Sequence, residues 1–344
     1  MPRHAAGNVW AMSEPGNGRA RVGVRDVARV AGVSAQTVSR VINDHPRIRD
    51  ETRRRVQDAM AQLDYRVNNA ARSLGTSTSR TLGVIVSDAT LYGPAVAVAE
   101  IESAARLAGR WVATAYADAA DAASVRAAAL HLRDQGVDGL IIVAPHARTA
   151  GALADLDGQV PIEPFNAHDD GAVQQAAAAL VVAHLAALGH HRVARLGGPA
   201  DWLDEIARAA GYRAALRAHR LTEVAAWSGD WSAEAGAAVA PAIADAVRTA
   251  GGPTAIVCAN DQMALGLVAG LAASGLSVPS QVSVAGFDDN PDAAYYRPAL
   301  TTVRLDIAGE ARRSVASVLA APGEDAALHA PELVARDSTG PVPR

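Results

Sequence analysis

Between residues 81 and 334 the chain keeps one rhythm: a short β-branched run, then a longer Ala-rich stretch, six times over. The runs are TLGVIVSD, RWVATAYA, DGLIIVA, HRVARLGG, TAIVCAN and VSVAGFDD, and helices are expected near 94–109, 121–135, 171–189, 201–219, 232–250 and 261–274. Strands and helices alternating at this length imply parallel sheets wound by right-handed crossovers. Ligands then gather at the carboxyl ends of the strands. A body of about 250 residues with two sets of strands predicts two stacked subdomains with a cleft between them.

Residues 22–66 follow another pattern. VRDVARVAGVSAQTVSRVIN (24–43) splits into two short apolar-periodic runs. Val27, Val30 and Ala31 give the first an inward face. Gly32 breaks it, since only Gly enters positive φ freely. Ser34 stands where an N-cap belongs, and Val38 and Val41 point inward on the second run. Gln36, Thr37, Ser39 and Arg40 stay on the outer surface. Any αα-hairpin has this spacing, but so does a helix-turn-helix, and the outer side chains suit base edges and phosphates. Asp50 is expected to cap a third helix with Val56, Met60 and Leu63 at core spacing.

Charge separates the two parts. Residues 1–80 hold 14 Arg against seven acidic residues, a balance of +7; the other 18 Arg face 29 acidic residues, a balance of −11. Lys is absent. A basic segment on an acidic body fits a phosphate-binding headpiece on a regulatory domain. Residues 1–21, rich in Gly, Pro, Ala and Arg, read as a disordered leader without the apolar run of an export signal. No run of apolar residues long enough for a membrane span occurs. The single Cys258, inside AIVCAN, reads as a buried, inert thiol in a reducing cytoplasm. GxSxG, Walker A, HExxH and paired cysteines are all missing, so no enzyme and no cofactor is expected. His190 and His191 follow a helix-ending LG and read as capping or loop residues.

Several polar or aromatic residues fall at strand ends, where a cleft would need them. They are Ser87 and Asp88, with Leu91 and Pro94 after them; Asn166; Arg208; Trp231; Asn260 and Asp261; and Asp288 and Asp289. Each also has a plainer reading: an Asp as helix cap, Trp231 as core, Arg208 as surface. Together, a carboxylate, an amide, a guanidinium and a Trp are the parts of a sugar site.

The strings DVARVAGVSAQTVSRVIN, CANDQMALG, GDWSA and GFDDNPDAAYYRPALTTVRLD resemble those of the lactose-repressor (LacI/GalR) family of bacterial transcription regulators, a likeness running from about Val22 to about Val334. The resemblance implies an all-α helix-turn-helix headpiece (22–66), a hinge helix and linker (67–80), and an α/β periplasmic-binding-protein-like core of two doubly wound parallel-sheet subdomains (81–334), with 335–344 as a tail. It implies a repressor that binds a pseudo-palindromic double-stranded DNA operator. Ser34, Ala35, Gln36, Thr37, Ser39, Arg40, Asn43 and Arg47 would meet DNA, Arg49 would hold phosphate, Asn69 and Ala71 would lie near the minor-groove floor, and Leu74 would wedge into a central base step.

In the core, Asn260, Asp288 and Arg208 match the hydroxyl-binding positions of a mono- or disaccharide effector and Trp231 the stacking position. Ser87, Leu91, Pro94 and Asn166 complete the expected effector set. Asn166 stands where the pattern has an aspartate, and Trp202 and Asp204 replace small hydroxyl residues. The stretch 167–180 is about six residues shorter than the family pattern. Tyr295–Thr302 looks like the third crossover between subdomains. A purine-type effector is the rival reading. The family's tetramer-forming Leu heptad is missing at the C-terminal end, so a cytoplasmic, nucleoid-associated homodimer is expected.

Overall fold

The computed structural model describes residues 22–43, 45–66, 78–118, 120–154, 156, 158–320 and 328–343. The expectations placed on the leader, Asn69, Ala71 and Leu74 lie outside the described residues. Contacts divide the chain into Met1–Ser79 and Arg80–Arg344, and each unit is taken by itself.

The first unit is three helices around a small core: α1 (Val24–Ala31), α2 (Ala35–Ile42) and α3 (Asp50–Gln62). Gly32 ends α1 at φ +63°, a left-handed turn that favours Gly. Ser34 Oγ then accepts the Thr37 N–H at 3.1 Å and starts α2. Val27, Ala28, Ala31, Val38, Val41, Val56 and Ala59 form the core. Val30 does not join it and is 41 % exposed. At 100° per residue it stands about 60° to one side of Val27, whereas Ala28 and Ala31 fall on the other. Met60 and Leu63 are half-buried against this cluster. Asp50 is the first residue of α3 and not its cap. Arg49 holds the extended cap position, and Asp50 and Glu51 set their charge against the positive helix end.

The second unit is built on two four-stranded parallel sheets. β1 (Thr81–Val86), β2 (Trp111–Tyr116), β3 (Gly139–Val143) and β4 (Ile162–Pro164) take the order β2-β1-β3-β4. Helices α4 (Tyr92–Leu107) and α5 (Ala122–Asp134) connect them. After α6 (Ala172–Ala187), strands β5 (Arg192–Gly197), β6 (Thr222–Ser228), β7 (Ala255–Cys258) and β8 (Ser283–Ala285) repeat the pattern as β6-β5-β7-β8. Helices α7 (Leu203–His219), α8 (Ala233–Arg248) and α9 (Asp261–Ala273) wind them. β1 and β3 lie between other strands and are buried almost throughout, as strands covered on both faces must be. Among the described residues no helix is long and apolar enough to cross a membrane.

The chain then runs through β9 (Thr302–Arg304) into α10 (Ile307–Val318), which packs on α4, β3 and β4 of the first lobe, and returns as β10 (Glu332–Val334) antiparallel to β9. The third crossover expected at Tyr295–Thr302 is therefore misplaced. That segment stays with the second sheet: Thr301 O accepts from Gly286 N–H at 2.8 Å, and Leu300 N–H donates to Ala293 O at 2.9 Å. The chain passes to the first lobe only at Leu305–Ile307.

Residues 335–343 are not a free tail. Ser338 is fully buried, its carbonyl takes the Val284 N–H at 2.9 Å, and its hydroxyl donates to Val284 O at 2.6 Å. Two histidines hold the next residues. His184 Nε2 lies 2.9 Å from Thr339 Oγ1. His190 Nε2 donates to Gly340 O at 3.1 Å, with Nδ1 2.8 Å from Thr254 Oγ1. His190 lies in the loop after α6, as expected, and there acts as a buried clamp. Burial holds both imidazoles below their ordinary value, so both are neutral in the folded state. Protonation favours the unfolded chain, and this contribution to stability, present above about pH 6.5, is lost as pH falls. Thermal unfolding between pH 7.5 and 5 should show a smaller loss in His190→Gln than in wild type, although the variant starts lower.

Candidate functional site

A void of about 580 Å3, counted to its open mouth, lies between the two sheets. Strands β1, β3 and β4 of the first lobe and all four of the second deliver residues to it from their carboxyl ends. Leu91 and Pro94 follow β1, Ala144 follows β3 and Asn166 follows β4. Trp202, Asp204 and Arg208 come after β5, Trp231 after β6, Asn260 after β7 and Asp288 after β8. Leu305 and Ile307 of the crossover close one side. This is the place the strand orders dictate, since the winding of each parallel sheet switches sides between the adjacent strands β1 and β3, and β5 and β7.

Arg208 organises the polar wall. Its Nε donates to Gln174 Oε1 at 2.9 Å, one terminal nitrogen to Ala259 O at 2.6 Å, and the other to Asp288 Oδ1 at 3.1 Å. The guanidinium lies 3.9 Å from the Phe287 ring centroid and 5.7 Å from that of Trp231. A group bound on so many sides is fixed before any ligand arrives. Burial pushes the Asp288 carboxyl up to about 6, against the pull of Arg208. Burial also raises Asp204, whose Oδ2 takes Asn166 Nδ2 at 3.4 Å.

Asn260 works in two directions: its Oδ1 caps α9 by accepting the Met263 N–H at 2.9 Å, and its Nδ2 donates to Trp231 O at 3.0 Å. That bond holds Trp231 at φ +74°; Asp288 at +105° and Asn166 at +62° are also left-handed. Strained backbone of this kind concentrates at functional sites. Trp231 meets Trp202 edge-on, ring centroids 5.1 Å apart at 78°. The ring also lies against Gly198, where an added Cβ would come within 2.3 Å of it. Gly198→Ala should therefore push the indole into the void and cut ligand affinity about tenfold or more while the protein stays folded. Calorimetric titration checks this.

The lobes are tied at one rim. Ala147 N–H donates to Asp201 O at 2.8 Å and Leu203 N–H to Pro145 O at 3.0 Å. Burial raises the Asp201 carboxyl, but His146 Nδ1 at 3.0 Å and Arg148 outweigh it and hold it low.

Seven of the eight sequence-predicted cleft residues line the void; Ser87 does not. It is 3 % exposed and donates to Ala117 O at 2.8 Å, tying the loop after β2 to the end of β1. Asp261 is equally structural, accepting Thr302 Oγ1 at 2.6 Å and Asn290 N–H at 2.8 Å. Asp289 pairs with Arg304 and Arg336. Sequence reasoning missed Gln174, Phe287, Leu305 and Ile307. The first lies in the short stretch 167–180, and the apolar three carry no signal beyond apolarity.

On the helical unit, Ser34, Ala35, Gln36, Ser39 and Arg40 are exposed along the start and outer face of α2, and Thr37 and Asn43 are half-buried. Arg47 and Arg49 are exposed in the turn before α3.

Comparison with known proteins agrees with both parts. Residues 24–68 match the model of bacterial regulatory proteins of the lacI family, and 182–339 match a periplasmic binding protein-like domain. The lactose operon repressor of Escherichia coli (strain K12) is 36 % identical over 294 residues, covering 82 % of this chain and 79 % of that protein. That of Klebsiella pneumoniae is 31 % identical over 304 residues, 86 % of this chain and 85 % of its own. Among solved structures, the Lac repressor dimer bound to operator and the anti-inducer ONPF aligns with a TM-score of 0.78 at 33 % identity, covering 93 % of this chain and all of that one. With sequence shared over more than four-fifths of its length and the fold shared with it, this chain belongs to the lacI family of bacterial regulatory proteins.

Proposed function

We propose that this chain is a repressor that binds an operator as a homodimer and releases it when a small sugar enters the cleft. The observation that carries the ligand half is the fixed Asp288–Arg208 pair beside the Trp231 ring, where acceptors, donors and an apolar face meet in one void. The DNA half is carried by the polar face of α2. Gln36, Ser39, Arg40 and Asn43 read base edges, Ala35 offers a methyl, and Ser34, Thr37, Arg47 and Arg49 hold phosphates. Leu74, with Asn69 and Ala71, would serve at the operator centre. A second copy of this chain fits the first lobe, where Leu107, Trp111 and Tyr116 are 81, 64 and 71 % exposed around the edge strand β2.

Selection from random duplexes by the full-length protein should return a pseudo-palindrome. Arg40→Ala should weaken that site by about 1–3 kcal/mol while leaving non-specific binding nearly unchanged. In parallel, a thermal-shift panel of mono- and disaccharides should raise the unfolding temperature of the core, and the sugar that does so should release the selected duplex. A purine that shifts the protein when no sugar does would overturn the sugar reading. Equal retention of all duplexes would overturn the operator reading.

A further inference from the structure

The cleft holds more carboxylate than its guanidinium can match. Asp204 and Asp288 both line the void, and Arg208 is the one cation among the described lining residues. Arg208 is engaged on three sides, and its carboxylate partner is Asp288. Asp204 stands one helical turn before Arg208 and feels it only through space, while the charges of Glu205 and Asp288 oppose it. Glu205 is itself bound by both terminal nitrogens of Arg195, at 2.6 and 2.8 Å, so it draws no cation toward Asp204. What remains for Asp204 is the Asn166 amide at 3.4 Å, the long end of hydrogen-bond range.

Only some of the donors around the void are committed, and the buried Trp231 indole N–H, which also lines it, has no partner. Asn260 gives one N–H to Trp231 O, Asn166 gives one to Asp204, and Arg208 has three of its five in use. The wall therefore presents one carboxylate, Asp204, that has no cation of its own, flanked by the indole rings of Trp202 and Trp231. A largely buried carboxylate without its full set of donors costs free energy until a donor arrives. A hydroxyl supplies the donor but leaves the charge; an ammonium supplies both, and indole faces attract it further.

Resting on the sugar reading above, we infer that the effector is an amino sugar whose ammonium lies against Asp204 while its hydroxyls reach Asp288. Asp204 is then the residue that sets specificity, separating the amine from its neutral parent. Trp202 and Trp231 bound the ring that carries it.

The experiment is calorimetry and thermal shift on the full-length protein at pH 7. Glucosamine, galactosamine and mannosamine are each titrated beside the parent hexose and the N-acetyl derivative. One amine should bind on the order of tenfold tighter than both its neutral counterparts. In Asp204→Asn, with Asp204→Ser as a second variant, that preference should vanish. Both variants should unfold no lower than wild type, because a buried charge is removed. A hexose that binds as tightly as its amine, or a preference that survives both substitutions, overturns the inference and leaves the sugar reading standing. If no member of the panel binds, the inference falls, and the sugar reading is decided by the wider mono- and disaccharide panel.

Discussion

Asp288→Ala should give a repressor that holds its operator and no longer responds to ligand. The carboxylate is the shared partner of Arg208 and the void, so its loss removes a hydroxyl acceptor and loosens the guanidinium at once. Removing one hydrogen-bonding group from a buried, charge-assisted set costs about 2–4 kcal/mol, or roughly 30- to 1,000-fold in affinity. Folding should lose some stability, because Arg208, 8 % exposed by side chain, is left without its carboxylate, a loss offset in part by removing the burial cost of Asp288 itself. Burial holds the Asp288 carboxyl up at about 6, so above that pH its charge weighs against the folded state. By the same sign, this group adds stability to the wild-type protein as pH falls from 7 through 6, opposite to His184 and His190. The difference between wild type and Asp288→Ala should therefore shift in favour of wild type as the buffer is acidified. Titration of ligand against operator-bound protein, together with melting curves at pH 7 and 5.5, tests both parts. Ligand release of the variant at wild-type concentrations would remove Asp288 from the site.

Glu205→Ala should be the most damaging single change outside the cleft. Arg195 lies on β5, between β6 and β7, and is 12 % exposed by side chain; Glu205, in the first turn of α7, is 6 % exposed. The pair is bidentate, and the guanidinium also faces the Tyr212 ring at 5.7 Å. Deleting the carboxylate leaves a buried cation in the centre of a sheet, at a cost of about 3–5 kcal/mol. At about 2–4 °C per kcal/mol for a unit of this size, the unfolding temperature should drop on the order of 10 °C. Arg195→Met with Glu205→Leu should recover most of that loss, because two apolar side chains of similar volume need no partner. If the single variant melts within about 2 °C of wild type, solvent reaches the pair and the low-dielectric argument fails.

The sequence revealed most where one physical rule acts over many residues. The six-fold β/α rhythm identified both sheets, and the six helices expected in the body appear within a few residues of their positions, whereas α10 was not foreseen. It did not reveal β4, β9 and β10, each three residues long, because a period cannot be counted in so short a run. β6 was missed for another reason. TEVAAWS is an edge strand with an alternating, largely exposed surface and lacks the continuous β-branched run of its neighbours.

In the cleft, residues bearing charge or an aromatic ring were legible because strand ends converge there. Ser87 was the exception: a hydroxyl at a strand end is as useful to a neighbouring loop as to a ligand, and here Ala117 takes it. Leu305 and Ile307 were illegible, since an apolar side chain lining a void and one filling a core look alike in sequence.

One feature of the topology bears on how the protein is made. The first sheet is complete at Pro164, yet α10, which covers β3 and β4, begins at Ile307, after the whole second lobe. On the ribosome that sheet waits on the order of ten seconds for its last covering helix. During that interval the apolar surface under Val315 and Val318 is open to solvent and to chaperones, so the two lobes cannot mature in chain order. The first-born lobe is finished only when the second has been made.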